Sequence, residues 1–381
     1  MQLDNLRQEI DQIDEQLIAL FKERMAISAN IAQAKKDKGS PVLDKSREAE
    51  KLSQIIEKTG EDLAPYAHIL YDTIFELSRS YQYAQNPNTT TLQDEIQAAI
   101  KETTPLFPQS AKVACQGVQG AYAQNAAEKL FERPNIQYFN SFDSVFSAIE
   151  NGFCQYGVLP IENSTAGSVT KIYHLMQERN FKIVRATRLK INHNLLVKTG
   201  VKLEDVREII SHEQALSQCA AFLGSLGDKV QIRAVENTAQ AAKIVAESDR
   251  TDIAAICSSA CASLYGLESI AHDIQDNANN YTRFICIAKQ LEIYPGANKT
   301  SIMLTLPHTP GSLYQVLARF RALGINLNKL ESRPLPDRDF EFMFYFDLET
   351  SIYSEAFATL LASLKESCEQ FQYLGSYIEV I

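Results

Sequence analysis

Residues 279–284 carry side chains that could do chemistry on a small molecule. They follow a polar, Asn-rich segment at 273–278 that is typical of a loop. Apolar residues at 284–288 then predict a buried strand. The hydroxyl of Thr282 and the guanidinium of Arg283 would thus lie at the mouth of a sheet, where α/β folds bind small molecules. Spacing alone favours a plainer interpretation, in which Thr282 makes a hydrogen bond and Arg283 a surface ion pair.

Two cations in an apolar helical seam form a second candidate. Apolar residues recur at steps of three and four over residues 3–34, and Arg24 occupies a position that should be apolar. Lys35 follows close to three helical turns later, and therefore lies on the same face. Two inward cations would bind an anion. They could equally extend to solvent or pair with Glu23 or Asp37.

Polar residues at helical spacing continue this pattern further along the chain. Asp44, Arg47 and Glu48 stand at positions i, i+3 and i+4, and Ser78 and Gln82 are one turn apart. Taken alone, the first three residues are typical of a solvated ion-pair cluster, and the last two carry no functional information.

Three helices are needed to hold these residues. The first runs for roughly 35 residues, about 50 Å, because no Gly or Pro interrupts it before Gly39 and Pro41. Such a helix is too long for a small compact domain unless it pairs with another chain. A second helix begins after Pro41 with Asp44 as its N-cap, and a third spans about 62–83.

From residue 112 the pattern changes to alternating strands and helices, which predicts a two-lobed α/β domain. Its strands are expected at 112–116, 156–159, 181–196, 206–211, 230–235, 253–257 and 284–288. The last eighty residues predict the order βαββαβ, a ferredoxin-like fold, with a final strand at 371–381. The expected division is a helical domain (1–88), a linker (89–110), the α/β domain (111–293) and the ferredoxin-like domain (299–381).

Composition restricts the class of protein. Of 381 residues, 45% are hydrophobic and 22% charged, as in soluble globular proteins of two or three domains. The net charge of -10 argues against nucleic acid or an anionic membrane as partner. Seven cysteines without a Cys-x-x-Cys pair predict free thiols in a reducing cytosol, hence a cytoplasmic protein. No metal site, signal peptide or transmembrane helix is expected.

No cofactor is expected either. The turn from Gly117 to Gly120 lacks the middle Gly of a Gly-x-Gly-x-x-Gly dinucleotide motif. A tight turn is the better interpretation of these glycines.

Five segments of the α/β region resemble the prephenate dehydratase family: 117–122, 160–164, 211–212 with Gln218, 264–267 and 279–284. The resemblance implies that Thr282 is catalytic at the leaving hydroxyl, with Asn163, Ser211 and Gln218 as polar groups around the substrate. Arg283 would bind an anion of the substrate. Glu162 would be either a general acid or a structural acceptor.

The three histidines of this region, His174, His193 and His212, are interpreted as hydrogen-bonded loop or core residues rather than catalysts.

The helical region resembles the all-helical chorismate mutase family, which forms intertwined dimers. Eight positions match the family's active-site pattern: Arg7, Arg24, Lys35, Asp44, Arg47, Glu48, Ser78 and Gln82. The implied rearrangement of chorismate needs no cofactor. The arginines suit its carboxylates, Lys35 and Gln82 its ether oxygen, and the acidic residues its hydroxyl or an orienting contact. Arg7 and Arg24 are about 25 Å apart along one helix, so Arg7 should serve the site of a second chain.

The C-terminal region resembles the phenylalanine-binding ACT regulatory domain. Two motifs carry this resemblance and its implied effector contacts: Gly311, Ser312 and Leu313, and Glu331, Ser332, Arg333 and Pro334.

Together these resemblances identify the chain as a member of the bifunctional chorismate mutase/prephenate dehydratase family. The implied small-molecule partners are chorismate, prephenate and L-phenylalanine, and the implied assembly is a homodimer or homotetramer. Two alternatives remain open. One is a mutase joined to a prephenate dehydrogenase, which the missing dinucleotide motif disfavours. The other is an amino-acid sensor whose α/β domain only binds a ligand.

Overall fold

The structure, a computed structural model, describes residues 2–38, 40, 42–85, 91–335 and 341–381. The predicted helix breakers Gly39 and Pro41, the predicted domain end at 86–88, and Phe340 lie outside these residues. The chain divides into two compact units. One joins Met1–Ala98 to Thr300–Gln372, and the other joins Ala99–Lys299 to Tyr373–Ile381.

The chain begins with four helices: α1 (Gln2–Asp37), α2 (Lys45–Thr59), α3 (Ala64–Gln85) and α4 (Thr91–Glu102). The helical first region is therefore confirmed. Asp44 caps α2 as predicted, because its side chain accepts a hydrogen bond of 3.0 Å from the Arg47 backbone N–H. α3 packs against both α1 and α2. No helix in the described part of the chain is long and apolar enough to cross a membrane.

The apolar seam of α1 is open in a single chain. Eight of its large apolar side chains are 44–62% exposed. They are Leu3, Leu6, Ile10, Ile13, Leu17, Leu20, Ile27 and Ile31. Packing within the chain therefore does not account for the heptad pattern of this helix.

The second unit alternates strands and helices, which confirms a mixed α/β region. Its strands are β1 (Lys112–Gln116), β2 (Asn135–Phe139), β3 (Tyr156–Asn163), β4 (Gly167–Ser168), β5 (Lys182–Lys190), β6 (Asn194–Lys198), β7 (Glu208–His212), β8 (Gln231–Val235), β9 (Ile253–Cys257), β10 (Leu267–Ala271) and β11 (Tyr281–Ala288). Its helices are α5 (Tyr122–Leu130), α6 (Phe142–Glu150), α7 (Thr170–Arg179), α8 (Glu213–Gln218), α9 (Ala220–Ser225), α10 (Thr238–Glu247) and α11 (Ala260–Tyr265).

The remaining elements are β12 (Lys299–Thr305), α12 (Ser312–Ala322), β13 (Asn326–Pro334), β14 (Phe342–Glu349), α13 (Glu355–Ser367), β15 (Gln370–Tyr377) and β16 (Glu379–Val380). β12 to β15 form a four-stranded sheet in the order β13-β14-β12-β15. The predicted final strand at 371–381 is instead two strands in two different sheets.

Two sheets build the second unit. The seven-stranded sheet has the order β16-β5-β11-β3-β1-β2, with β4 beside β3, and the five-stranded sheet has the order β10-β6-β9-β7-β8. The predicted strand at 181–196 is β5 in one sheet and β6 in the other. Residues 191–193 are therefore the crossing from one lobe to the other.

The C-terminal strand completes the seven-stranded sheet. β16 pairs in parallel with β5, with Glu379 opposite Ala186. The carboxylate of Glu379 pairs with Arg188, Arg283 and Lys299. The last nine residues thus belong to the α/β unit and not, as the predicted boundary at residue 299 had it, to the C-terminal domain.

Candidate active sites

Thr282 and Asn163 lie opposite each other on neighbouring antiparallel strands, β11 and β3. Both side chains are buried. Asn163 Nδ2 donates a hydrogen bond of 2.9 Å to Thr282 Oγ1. Because this oxygen accepts from Asn163, the hydroxyl proton of Thr282 is left to donate to another group.

The orientation of the Asn163 amide follows from its neighbours. Its Oδ1 accepts hydrogen bonds from the backbone N–H groups of Thr165 (3.0 Å) and Ala166 (2.8 Å). Backbone N–H groups can only donate, so the atom they contact must be the oxygen. The nitrogen of Asn163 is consequently the atom that faces Thr282.

Three amides form a closed ring behind Thr282. Asn163 Nδ2 donates to Asn280 Oδ1 at 2.7 Å. Asn280 Nδ2 donates to Gln218 Oε1 at 2.9 Å. Gln218 Nε2 donates to Asn163 Oδ1 at 3.3 Å and closes the ring. A polar network of this kind fixes each member in one orientation and therefore holds Thr282 in place.

A cavity of about 380 Å³ opens in front of Thr282, between the two sheets. Its polar lining is Gln116, Tyr122, Asn163, Ser168, His193, His212, Gln214, Gln218, Glu236, Asn237, Thr238 and Thr282. None of the lining residues in this described part of the chain is Lys or Arg. The first turns of α5 and α10 border the cavity, and the free N–H groups there favour a negatively charged ligand.

Three predicted site residues lie outside this cavity. The Ser211 hydroxyl donates to the backbone oxygen of Ile256 at 2.5 Å and is fully buried. Glu162 and Arg283 neighbour Asn163 and Thr282 in sequence, and alternation along a strand turns them to the opposite face.

The expectation that Arg283 binds a substrate anion is therefore corrected. Its side chain pairs with Glu379 at 3.1 Å and donates to the Tyr377 hydroxyl at 2.9 Å. The physical reason is that Thr282 stands within β11 and not before it, so the next residue must face away from the cavity.

Three groups in or next to the cavity were missed from the sequence. Asn280 stands two residues before Thr282, and the period of two along a strand would have placed it on the same face. Glu236 directly precedes Asn237, the N-cap of α10, whose side chain accepts from the Gln240 N–H at 2.8 Å. His193, interpreted as a hydrogen-bonded loop or core residue, lines the cavity. Nothing local in the sequence distinguishes it from a structural histidine.

A second polar cluster connects α1 and α3. Arg24 donates to the Ser78 hydroxyl, and its guanidinium lies 5.7 Å from the centre of the Phe75 ring. Burial lowers the pKa of Arg24. One turn beyond Ser78, Gln82 Oε1 is buried without a hydrogen-bond partner among the described residues.

The remaining predicted residues of the helical region are spread along the helices. Lys35 donates to the backbone oxygen of Val42. Arg47 forms an exposed ion pair with Glu50 at 3.1 Å. Arg7 is 68% exposed and contacts Asp4 at 3.5 Å, so a single chain does not bring it to the Arg24 cluster.

Glu48 is tied to an ion-pair chain that the sequence did not predict. It pairs with Arg79, which also pairs with Glu76. Glu76 in turn accepts from Arg319 of α12 at 2.6 Å. Burial alone would lower the pKa of Arg79, but the two carboxylates raise it above its ordinary value.

The predicted effector residues lie on α12 and β13. Gly311 caps α12 with φ of 87°, a left-handed conformation that suits glycine. The Ser312 hydroxyl donates to the Thr309 backbone oxygen at 3.0 Å. On β13, Glu331 pairs with Arg333 at 2.7 Å. β13 is an edge strand, so its outer backbone groups are open to another strand.

Comparison with known proteins assigns two regions of the chain to families. Residues 113–292 match the family model described as prephenate dehydratase, and residues 6–83 match chorismate mutase type II. A bifunctional chorismate mutase/prephenate dehydratase from Aquifex aeolicus is 31% identical over 99% of this chain and 98% of its own length. Arogenate dehydratase/prephenate dehydratase 2 of Arabidopsis thaliana is 41% identical, covering 70% of this chain and 72% of the plant protein.

A solved structure shows the same fold. Prephenate dehydratase from Arthrobacter aurescens, in complex with L-Phe, superposes with a TM-score of 0.64 at 28% identity. The match covers 70% of this chain and 89% of that protein.

Proposed function

The chain belongs to the bifunctional chorismate mutase/prephenate dehydratase family, and from this premise we propose which residues carry out each of its two reactions. It is an enzyme with both activities. Each activity is assigned to its own compact unit. The α1–α3 helices carry out the rearrangement, and the cavity in front of Thr282 carries out the dehydration.

In the dehydratase, Thr282 assists departure of the ring hydroxyl of prephenate. The observation that carries this proposal is the hydrogen bond from Asn163 Nδ2, which leaves the Thr282 proton to point at the leaving oxygen. The C–O bond breaks as carbon dioxide leaves, and the ring becomes aromatic. The first turns of α5 and α10 stabilise the substrate's negative charge in a cavity without a lining cation among its described residues.

Asn163 and Gln218 act as orienting groups through the amide ring. Ser211 acts further away, by holding β7 against β9 through its bond to Ile256. Glu162 serves as a structural acceptor rather than an acid, since alternation on β3 directs it away from the cavity.

In the mutase, Arg24, Arg47 and Arg7 bind the two carboxylates of chorismate. Lys35 and Gln82 donate to the ether oxygen, where negative charge develops in the transition state. The buried Oε1 of Gln82, which has no partner among the described residues, and the half-buried position of Arg24 support a site preorganised for a ligand. Ser78 orients Arg24, and Asp44 and Glu48 contact the hydroxyl or orient the cations.

The mutase site is completed by a second copy of this chain. The support is the open apolar seam of α1, together with the exposed position of Arg7 about 25 Å along the helix from Arg24. Two α1 helices packed antiparallel would cover both seams and bring Arg7 of each copy to the Arg24 cluster of the other.

The C-terminal region is an ACT domain that binds L-phenylalanine and inhibits the dehydratase. The support is its βαββαβ order, the left-handed Gly311 at the start of α12, and the L-Phe complex of the Arthrobacter aurescens relative. The α12 N-terminus suits the carboxylate of the amino acid, Leu313 its ring, and Glu331 its ammonium. Ser312, Ser332, Arg333 and Pro334 shape the two motifs.

One assay tests the two activities together. Purified protein given chorismate without NAD should form phenylpyruvate, with prephenate as intermediate. Accumulation of prephenate alone would remove the dehydratase assignment, and a requirement for NAD would favour the dehydrogenase alternative. Binding of L-phenylalanine without any turnover would favour a sensor.

A further inference from the structure

His193 is a buried histidine held in one place at the dehydratase cavity. It is 2% exposed and lies in the segment that crosses from the seven-stranded to the five-stranded sheet. Its backbone N–H donates to Gln275 Oε1 at 2.8 Å, and its carbonyl accepts from the Ile274 N–H at 2.9 Å. Its ring lines the cavity, edge-on to Tyr122.

The amide ring fixes the tautomer of His193. Gln218 must present its oxygen to His193 and Asn280, because its nitrogen donates to the Asn163 oxygen. His193 Nε2 lies 2.9 Å from that Gln218 oxygen and must therefore carry a proton. The neutral ring then has an unprotonated Nδ1.

The Nδ1 atom is unused in the free protein. It is buried and has no hydrogen-bond partner among the described residues. A buried acceptor without a partner is costly, and such atoms concentrate where a ligand binds. Burial lowers the pKa of His193, so the ring is neutral at pH 7 before substrate arrives.

Substrate binding favours protonation of His193. Prephenate carries two carboxylates into a cavity whose described lining residues include no Lys or Arg. Two negative charges in a buried site favour the protonated form of a nearby imidazole. A proton can be added at Nδ1 without breaking the bond from Nε2 to Gln218.

We propose that His193 is the general acid of the dehydratase reaction, taking up a proton at Nδ1 as the dianionic substrate binds and giving it to the leaving hydroxyl. This inference rests on the dehydratase function proposed above. Thr282 supplies a second hydrogen bond to the same oxygen.

The step balances in atoms and charge. The C–O bond breaks with its electron pair on oxygen, and the Nδ1 proton converts the leaving hydroxide to water. The bond to the ring carboxylate breaks, its electrons complete the aromatic ring, and carbon dioxide departs. The products are phenylpyruvate, water, carbon dioxide and neutral His193.

Other titratable groups surround His193 on the adjoining elements. They are Tyr122, His212, Glu213, Cys219, Glu236, Asp273 and Asp276. Burial raises the pKa of Tyr122, so its hydroxyl stays neutral. This hydroxyl donates to the backbone oxygen of Asn192. Burial also lowers the pKa of His212, whose Nδ1 already accepts from the Gln214 N–H at 3.2 Å. Of the two cavity histidines in the described part of the chain, only His193 has a buried ring nitrogen without a hydrogen-bond partner.

The test separates the proton carrier from the hydrogen-bond network. In His193→Gln the side-chain nitrogen can replace Nε2 and keep the bond to Gln218, but nothing replaces Nδ1. We expect the dehydratase kcat to fall about 10²–10³-fold, with KM changing much less. In the wild type kcat should decline as pH rises through the pKa of His193 in the complex, and this decline should vanish in His193→Gln. The exposed residue His272 gives the matched control, His272→Gln, which should keep both rate and pH profile.

A second variant distinguishes loss of the proton donor from a folding defect. The rate of His193→Ala should recover with added imidazole, in proportion to its protonated fraction. The proposal is overturned if His193→Gln keeps kcat within threefold, or if it loses rate while retaining the wild-type pH profile and imidazole does not rescue His193→Ala. If the wild type forms no phenylpyruvate from prephenate at any pH, the dehydratase function itself fails.

Discussion

Thr282 differs from an ordinary buried threonine in that its hydroxyl oxygen already accepts a hydrogen bond, so its proton is directed to another group. Asn163 occupies its oxygen, and two backbone N–H groups fix Asn163. A hydroxyl oriented in advance loses little entropy when it binds the leaving oxygen. This preorganisation matters because the hydroxyl alone is a weak acid.

Thr282→Val, which keeps the side-chain shape, should lower the dehydratase kcat by about 10³-fold, because one transition-state hydrogen bond is lost. Thr282→Ser keeps the hydroxyl and should stay within about tenfold of wild type. Mutase activity should be unchanged in both, since the residues proposed for the two activities lie in separate units. Coupled assays on prephenate and on chorismate measure the two rates. Loss of mutase activity in a folded Thr282→Val protein would contradict the separation of sites.

Arg79 gives the second prediction at this scale. Its guanidinium pairs with the half-buried Glu48 and with the buried Glu76. Arg79→Met should misplace Glu48 and lower the mutase kcat about 10-fold to 100-fold. Arg79→Lys keeps the charge and should lose less mutase activity than Arg79→Met. The mutase rates of both variants are measured by chorismate consumption, and their dehydratase turnover of prephenate is the internal control. An unaltered mutase rate in Arg79→Met would show that Glu48 needs no such support.

The resemblance to the prephenate dehydratase family predicted Thr282, Asn163 and Gln218 as site residues, and the structure brings these three together. The strand was predicted from residue 284, but β11 begins three residues earlier, at Tyr281. Arg283 therefore stands within the strand and faces away from the cavity. His193 and Arg79 were missed for another reason. Their roles come from contacts across 25 and 31 positions of sequence, to Gln218 and Glu48, and no local pattern contains that information.

At the scale of elements, β16 shows how a two-residue strand can matter. It covers the edge of the seven-stranded sheet and carries Glu379 to three cations, of which Arg283 is next to Thr282. Burial would raise the pKa of Glu379, but its hydrogen bonds with Arg188 and Lys299 and the charge of Arg283 lower it. The sequence predicted one continuous strand at 371–381, because nothing in its composition marks the break between β15 and β16.

Glu379→Gln should destabilise the α/β unit by about 3 kcal/mol at pH 7, because Arg283 is left buried without its counter-charge. The folded pKa of Glu379 is lowered, so its stabilising effect is complete above the unfolded pKa and is lost as pH falls through the folded value. The difference between wild type and variant should therefore shrink below about pH 4. Urea denaturation at several pH values measures it. A difference that is constant with pH would exclude ionisation as its source.

The exposed apolar seam of α1 predicts that each mutase site is shared between two copies of the chain. Arg7→Ala and Arg24→Ala proteins should each lack mutase activity. In a heterodimer, one site has Arg24 from the first variant and Arg7 from the second, and is complete. Random exchange of equal amounts should restore about one quarter of the wild-type rate, since half of the dimers are mixed and each has one intact site. If mass spectrometry shows exchanged subunits and no activity returns, Arg7 does not act across the dimer.

At the scale of the whole molecule, the chain leaves the α/β unit at Lys299 and returns to it at Tyr373. Just before the first crossing, the Asn298 N–H donates to the backbone oxygen of Tyr377 at 3.2 Å. A cut near Gly296 would therefore remove β16 and Glu379 along with the proposed regulatory domain. Such a truncation cannot separate loss of regulation from loss of stability.

Excision of residues 300–372, with a short Gly-Ser linker joining Lys299 to Tyr373, removes the regulatory sheet and keeps β16. We expect this protein to convert prephenate at a rate within about tenfold of the full chain and to be insensitive to phenylalanine. Gly311→Ala in the full chain is the milder test. Its left-handed φ of 87° strains any side chain at about 1–2 kcal/mol, so the concentration of phenylalanine for half-inhibition should rise about tenfold.

The two variants together locate the effector. Inhibition requires that phenylalanine bind more tightly to an assembly in which the Thr282 cavity is less open, because an effector shifts an equilibrium only by its difference in affinity. If the contacts that supply this difference lie at the α12 N-terminus, excision abolishes inhibition and Gly311→Ala weakens it. If the excised protein is inhibited at the same phenylalanine concentration as the full chain, the effector binds in the α/β unit, and the regulatory role assigned to α12 and β13 is wrong.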